Sequence, residues 1–335
     1  MSFPDTKLTV RSPADLVAAV PYLLGFRPAD GSIVVIASNH RRIVFAARAD
    51  LPPSTPAGEL ADLAASLVPV VRRQQSITDV MLVGYGTADH IDPALPAVGE
   101  AFTASGIPVR TLLRVTDTRI LNLTCDNPDC CPPDGMPFDP TASLVAVQAT
   151  AAGLVALPDR AAVAARFAPV TGAARDSMRR ATTAAAARLK VVTGAGAAVL
   201  DQVGAHAVRD ALRRHKAGEH LTDDEVACLT LLLKRTSVRD LAVDFTQPRD
   251  QHVTFWADIT RRADEALVPA PATLLALTAW RCGDGALAAM AADRALQVDP
   301  AYQLADLLRQ ALQAGLPPSA FEQTTGQTRS NSSTQ

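Results

Sequence analysis

Three cysteines fall close together in the stretch Cys125-Asp126-Asn127-Pro128-Asp129-Cys130-Cys131-Pro132-Pro133. Thiolates are soft donors, so this cluster could hold zinc, with Asp126, Asp129 or a distant histidine as fourth ligand. Two features weigh against chelation. The adjacent pair Cys130-Cys131 is poorly shaped for gripping one ion, and the spacing is not the usual paired C-x-x-C. The same thiols offer a redox reading, a reversible disulfide from Cys125 to Cys130 or Cys131. A third reading is structural: a loop braced by Pro128, Pro132 and Pro133 whose small thiols are buried. All three stay open at this stage. Cys228 and Cys282 lie in apolar helical patterns and read as core.

Other motifs carry less. Val191-Val192-Thr193-Gly194-Ala195-Gly196-Ala197-Ala198-Val199 imitates a dinucleotide fingerprint. The true motif follows a strand, whereas an Ala-rich helical pattern precedes this one and Val199 stands at the third glycine position. It reads as a helix–Gly–helix joint, with no cofactor. Residues 222–245 read as helix, turn, helix, and Lys234, Arg235 and Arg239 could touch phosphates. The near-neutral charge argues against that, because phosphate affinity is mostly electrostatic. The arginines at 175, 179, 180, 188, 209, 213 and 214 read as solvated helix faces. Ser32 with Asp30 has no histidine assigned to activate it, and His40 belongs to a polar turn. No recognised catalytic motif (paired carboxylates, G-x-S-x-G, P-loop or H-E-x-x-H) is present.

The elements that must position these residues divide into two halves. In the first, Ser12 caps a helix with Pro13 at its first position and Gly25 as its stop, and Pro21 predicts a break inside it. Residues 32–37 and 42–48 read as a β-hairpin about a turn at 38–41. A helix over 60–71, a strand over 79–85, a helix over 95–104 and a strand over 107–115 follow, the two strands forming a parallel crossover. A strand over 119–124 leads into the cysteines. The second half reads as helices over 161–167 (with Asp159 as cap), 173–190, 197–215, 223–234, 237–243, 256–267 and 272–281. Thr222-Asp223-Asp224-Glu225 has the form of a capping box. Residues 274–300 resemble one tetratricopeptide unit, with small Ala288, Ala292 and Ala295, a Gly283-Asp284 turn and a closing Pro300. A helix over 302–314 would cap it.

The fold expected is therefore α+β, or mixed α/β. A domain over 1–170 holds a mixed sheet of about five strands with flanking helices, and its cysteine loop spans 125–133. An all-helical domain over 171–318 follows, then a disordered tail over 319–335, which is too polar to offset its ordering entropy.

Several segments together resemble one family. Ser12-Pro13-Ala14-Asp15-Leu16, Val20-Pro21-Tyr22-Leu23-Leu24-Gly25-Phe26-Arg27-Pro28, the cysteine stretch and Gly283-Asp284-Gly285-Ala286-Leu287-Ala288 are similar to an actinobacterial domain-of-unknown-function family, number 4192. The resemblance covers the chain apart from its tail and transfers no activity.

Composition sets the outer limits. Among 335 residues, 32 basic side chains face 34 acidic ones, a net charge of -2 that lacks the field of a nucleic-acid binder. No apolar run of about 20 residues exists to span a membrane. Residues 1–11 lack the apolar core of a secretory signal, and five cysteines do not make a disulfide scaffold, so a cytoplasmic protein is expected. The function expected is a regulatory or adaptor protein that binds a protein partner through its helical domain, with Arg281, Asp293 and Arg309 exposed for recognition. The alternative is a metal- or redox-dependent enzyme or sensor built on Cys125, Cys130 and Cys131, with zinc as the cofactor it would use. A DNA-associated regulator comes third.

Overall fold

The computed structural model describes residues 9–40, 42–52, 56–74, 76–140, 142–193 and 196–320. Gly194 and the tail from 321 onward, both subjects of sequence expectations, lie outside the described residues. The chain forms two compact units, Met1–Ala162 with Gln313–Gln335, and Val163–Leu312.

The first unit is built on a sheet that has six strands among the described residues: β1 (Ser32–Asn39), β2 (Arg42–Asp50), β3 (Asp79–Tyr85), β4 (Val109–Val115), β5 (Arg119–Asn122) and β6 (Met136–Pro137). Their order is β2-β1-β3-β4-β5-β6, and every neighbouring pair is antiparallel except β3 with β4. The crossover between that parallel pair carries helices, as parallel strands require.

Alternation along the strands makes two cores. Ile33, Val35, Leu82 and Leu112 face one side and pack with Leu60 and Leu67 of α2 (Ala57–Arg72). Val98 and Phe102, from α4 (Ala94–Ala104), which follows the single turn α3 (Ala88–Ile91), join them. Val34, Ile36, Val83, Leu113 and Ile120 face the other side and meet Leu16, Val17 and Val20 of α1 (Pro13–Leu24). Because β1 lies between these layers it is buried from Ser32 to Ser38, which is why its sequence is a β-branched run rather than an alternation. In α1, Ser12 Oγ accepts from the Asp15 amide at 3.1 Å and Gly25 closes the helix at φ 81°. The break expected at Pro21 does not occur, and the helix runs through to Leu24. Pro21 sits in the last turn, where it forfeits one backbone bond while Val17 and Val20 hold that turn against the sheet. Two further helices close this part of the chain, α5 (Leu144–Ala151) and α6 (Arg160–Ala165).

The second unit is helical: α7 (Gly172–Thr193), α8 (Ala197–Lys216), α9 (Asp223–Leu232), α10 (Thr236–Phe245), α11 (Asp250–Arg262), a 3-10 turn (Glu265–Leu267), α12 (Pro269–Arg281), α13 (Gly285–Val298) and α14 (Gln303–Gln313). The capping box forms as read: Thr222 Oγ1 accepts from the Glu225 amide at 3.3 Å, and Glu225 Oε2 accepts from the Thr222 amide at 2.7 Å. Helix α11 begins at Asp250, six residues before the expected start. Asp284 caps α13 by accepting from the Leu287 amide at 2.9 Å. Among the described residues no helix is long and apolar enough to cross a membrane.

Small side chains line the seam of the α12/α13 hairpin. Ala288, Ala292 and Ala295 have no solvent exposure, and Ala295 packs against Ala272 of α12 and Ala305 of α14. Ala295→Leu forces extra carbons into a contact sized for a methyl. It should cost about 1–3 kcal/mol, read as a lower urea midpoint at unchanged slope.

Candidate metal centre

The cysteine loop hangs between β5 and β6. Asn122 ends β5, and its Oδ1 accepts from the Thr124 amide at 3.0 Å and from the Thr124 hydroxyl at 2.7 Å. The loop returns at Gly135, whose amide donates to the Pro132 carbonyl at 2.8 Å, and Ile120 then pairs with Met136. Arg119 fastens this base, its Nη1 donating to the Asp134 carbonyl at 3.1 Å and the Gly135 carbonyl at 2.8 Å. Gly135 itself has φ 80°, and a Cβ there would lie 2.9 Å from Leu121 and 3.0 Å from the Ile120 carbonyl. Only glycine fits both conditions.

Inside the loop Asn127 organises the thiols. Its side-chain Oδ1 accepts from the Asp129 amide at 3.0 Å. Its carbonyl accepts from the Cys130 amide at 3.3 Å, the Cys131 amide at 2.8 Å and the Cys130 thiol at 3.6 Å. Two successive amides converging on one oxygen curl the chain tightly. In consequence all three sulfurs lie within 4.8 Å of one another, with Cys125 Sγ 3.6 Å from Cys130 Sγ. The adjacency of Cys130 and Cys131 therefore does not prevent convergence.

None of the three thiols is buried. Cys130 is exposed, and Cys125 and Cys131 are half-exposed, so the expectation of simply buried thiols fails here. The Asn127 amide donates to Cys125 and, with the two neighbouring thiols, holds Cys125 below the ordinary cysteine value despite the opposing charge of Asp126. Cys131 is pushed up to about 11, chiefly because its thiol hydrogen-bonds to Cys125. Of these two thiols, Cys125 therefore ionises more readily than Cys131.

These distances suit a tetrahedral thiophilic ion. Metal–sulfur bonds of about 2.3 Å place sulfurs about 3.8 Å apart, close to the separation of Cys125 and Cys130. Among the described residues no histidine, aspartate or glutamate joins the three sulfurs, so neither Asp126, Asp129 nor a histidine supplies the expected fourth ligand. A fourth donor would come from solvent or a bound molecule.

The family model described as Domain of unknown function (DUF4192) matches residues 13–319, a span that contains both units' described helices, the sheet and the cysteine loop. The chain belongs to this family. No curated protein and no solved structure matches it.

Elsewhere in the DUF4192 chain the nominated residues are committed to structure. Ser32 is fully buried and its hydroxyl donates to the Ala29 carbonyl. His40 is exposed on the hairpin turn. In the fingerprint-like segment α7 runs to Thr193 and Gly196 caps α8, so no strand precedes the glycines. Arg235 pairs with Asp201 at 2.7 Å and Arg239 with Asp240 at 2.7 Å, while Lys234 is exposed. Arg281, Asp293 and Arg309, expected to be exposed, are half-buried. Arg281 Nη1 donates to the Thr246 carbonyl at the end of α10 at 2.9 Å, where a helix C-terminus favours a cation. Arg309 pairs with Asp306 at 2.6 Å on its own helix. Cys228 and Cys282 are half-buried rather than fully enclosed, and burial raises both thiols, Cys282 to about 11. Sequence reasoning missed Asn127, Arg119 and Gly135. The Asn127-Pro128 and Asp134-Gly135 pairs, both turn formers, were the available signals.

Proposed function

We propose that this loop binds a divalent thiophilic ion of the zinc class through Cys125, Cys130 and Cys131, and that the protein is a metal-dependent sensor or regulator. The observation that carries this is the convergence of three accessible sulfurs within 4.8 Å on a loop anchored at both ends. When bound, such an ion supplies an open coordination position for an external donor. The protein's own part is to hold three sulfurs at coordinating distance, with the Asn127 amide favouring ionisation of Cys125.

The test is titration of the reduced full chain with Co(II) or Cd(II), read by thiolate charge-transfer absorption, together with zinc analysis of the purified protein. One equivalent should bind, and Cys125→Ser or Cys131→Ser should abolish it at micromolar metal. Cys131 must surrender a proton held up to about 11, so affinity should rise with pH and fall on acidification. A clean absence of charge transfer at alkaline pH would refute the reading.

A second reading rests on the α12/α13 hairpin, whose fully enclosed alanine seam supports its likeness to a tetratricopeptide unit and an adaptor role for the helical unit.

A further inference from the structure

We propose that Cys125 and Cys130 form a reversible disulfide when hydrogen peroxide reaches the loop, and that closing this bond discharges the ion, making the loop a redox-gated metal site. The discharge rests on the metal reading above, whereas the bond itself does not.

The short Cys125–Cys130 contact and the exposure of Cys130 favour this pair over Cys125 with Cys131, which also lies in the cluster. Their sulfurs are 3.6 Å apart, and a disulfide needs about 2.05 Å, a closure of roughly one and a half ångströms that side-chain rotation at exposed Cys130 supplies. The two residues are separated by four others, Asp126 to Asp129, which already curl around the Asn127 carbonyl, so the backbone approach is in place. Cys131 lies in the same cluster but is worse placed to join the bond with its neighbour, because a link between adjacent residues departs from relaxed disulfide geometry. Cys228 and Cys282 sit half-buried in helical regions, away from this loop in sequence.

The chemistry balances with one oxidant. One thiolate of the pair attacks a peroxide oxygen, the O–O bond breaks, and the products are a sulfenic acid and, after one proton is taken up, water. The second thiolate attacks the sulfenic sulfur, the S–O bond breaks, and hydroxide leaves and is protonated to a second water. The two sulfurs lose two electrons in total and the peroxide gains them. Two of three metal-binding sulfurs are then in a neutral disulfide, and Cys131 alone cannot retain the ion.

The experiment uses the full chain, reduced, in metal-free and zinc-loaded forms, with hydrogen peroxide as the oxidant. The metal-free protein should become two hydrogens lighter and recover its mass with dithiothreitol. Cleavage before Asp126 and Asp129 should leave the peptides carrying Cys125 and Cys130 joined. Cys131→Ser should keep the bond, and Cys130→Ser should slow its formation about tenfold or more. Zinc-loaded protein should release one ion per disulfide. Oxidation to separate sulfinic acids, or a link that forms as fast in Cys130→Ser, overturns the proposal. Disulfide formation in a chain that takes up no metal leaves the bond standing and refutes the metal reading. Stoichiometric zinc with no disulfide does the reverse.

Discussion

At neutral pH, iodoacetamide should label Cys125 ahead of Cys131 in the reduced, metal-free protein. The ordinary cysteine value is 9.0; Cys125 is held below it, and Cys131 is pushed up to about 11. These opposite shifts leave a larger thiolate fraction at Cys125 than at Cys131 at neutral pH. Intrinsic nucleophilicity falls with basicity, at a Brønsted slope of about 0.4–0.5, and offsets only part of that advantage. The sign with pH follows. The Cys125 rate climbs first from the acid side, and Cys131 catches up only as pH approaches about 11. The largest cause of the rise at Cys131 is its hydrogen bond to Cys125, so Cys125→Ser should make Cys131 react faster at neutral pH. Peptide mapping of alkylation against pH checks all of this, and equal rates at the two cysteines would show that the two thiols are not shifted in opposite directions. Bound zinc should protect the three together.

The parts of this molecule legible in its sequence are those governed by nearest neighbours. Ser12, Pro13 and Gly25 bracket α1 because capping is local, and Thr222 with Glu225 closes α9 for the same reason. The β-branched run at 33–36 identifies β1 as a buried strand, yet nothing in that run says it lies between β2 and β3. The misplaced start of α11 has a comparable origin. Its first turn, Asp250-Gln251-His252, presents no apolar period, and the helix starts there because Asp250 suits the positive end and Val253 and Trp256 bury the following turn. Strand β6 holds two residues, one of them Pro137, and exists only because β5 offers it a partner.

The candidate site divides in the same way. Prolines at 128, 132 and 133 restrict the loop, so close thiols were foreseeable. That Cys130 and Cys131 can converge with Cys125 was not, because it depends on the Asn127 carbonyl accepting from both amides. Residue types say which atoms could bind, and one backbone oxygen decides whether they meet. The missing fourth ligand is equally a matter of direction. Asp126 and Asp129 are in the sequence beside the thiols, but neither brings an oxygen into the group.

Gly135→Ala should destabilise the protein by about 2–4 kcal/mol and weaken metal binding with it, whereas Gly153→Ala should cost about 1–2 kcal/mol and leave metal binding unchanged. Both glycines hold left-handed backbones, φ 80° and φ 78°, so the strain of adding a Cβ is common to the two. They differ in what that Cβ meets. At Gly153 nothing lies within 4 Å, while at Gly135 the Leu121 side chain is 2.9 Å away and the Ile120 carbonyl 3.0 Å. Leu121 can yield by rotation, but the Ile120 carbonyl belongs to β5 backbone in register with Met136. Relief must therefore come from opening the β5/β6 pair or from releasing the Arg119 bonds to the Asp134 and Gly135 carbonyls. Either movement loosens the base from which the loop holds its sulfurs, and a three-donor site loses affinity when one donor drifts. Equilibrium urea unfolding gives the stability difference, and cobalt titration of the same two proteins gives the affinity. Equal metal affinity in both variants, with Gly135→Ala shown to be destabilised, would mean that the loop base does not position the thiols.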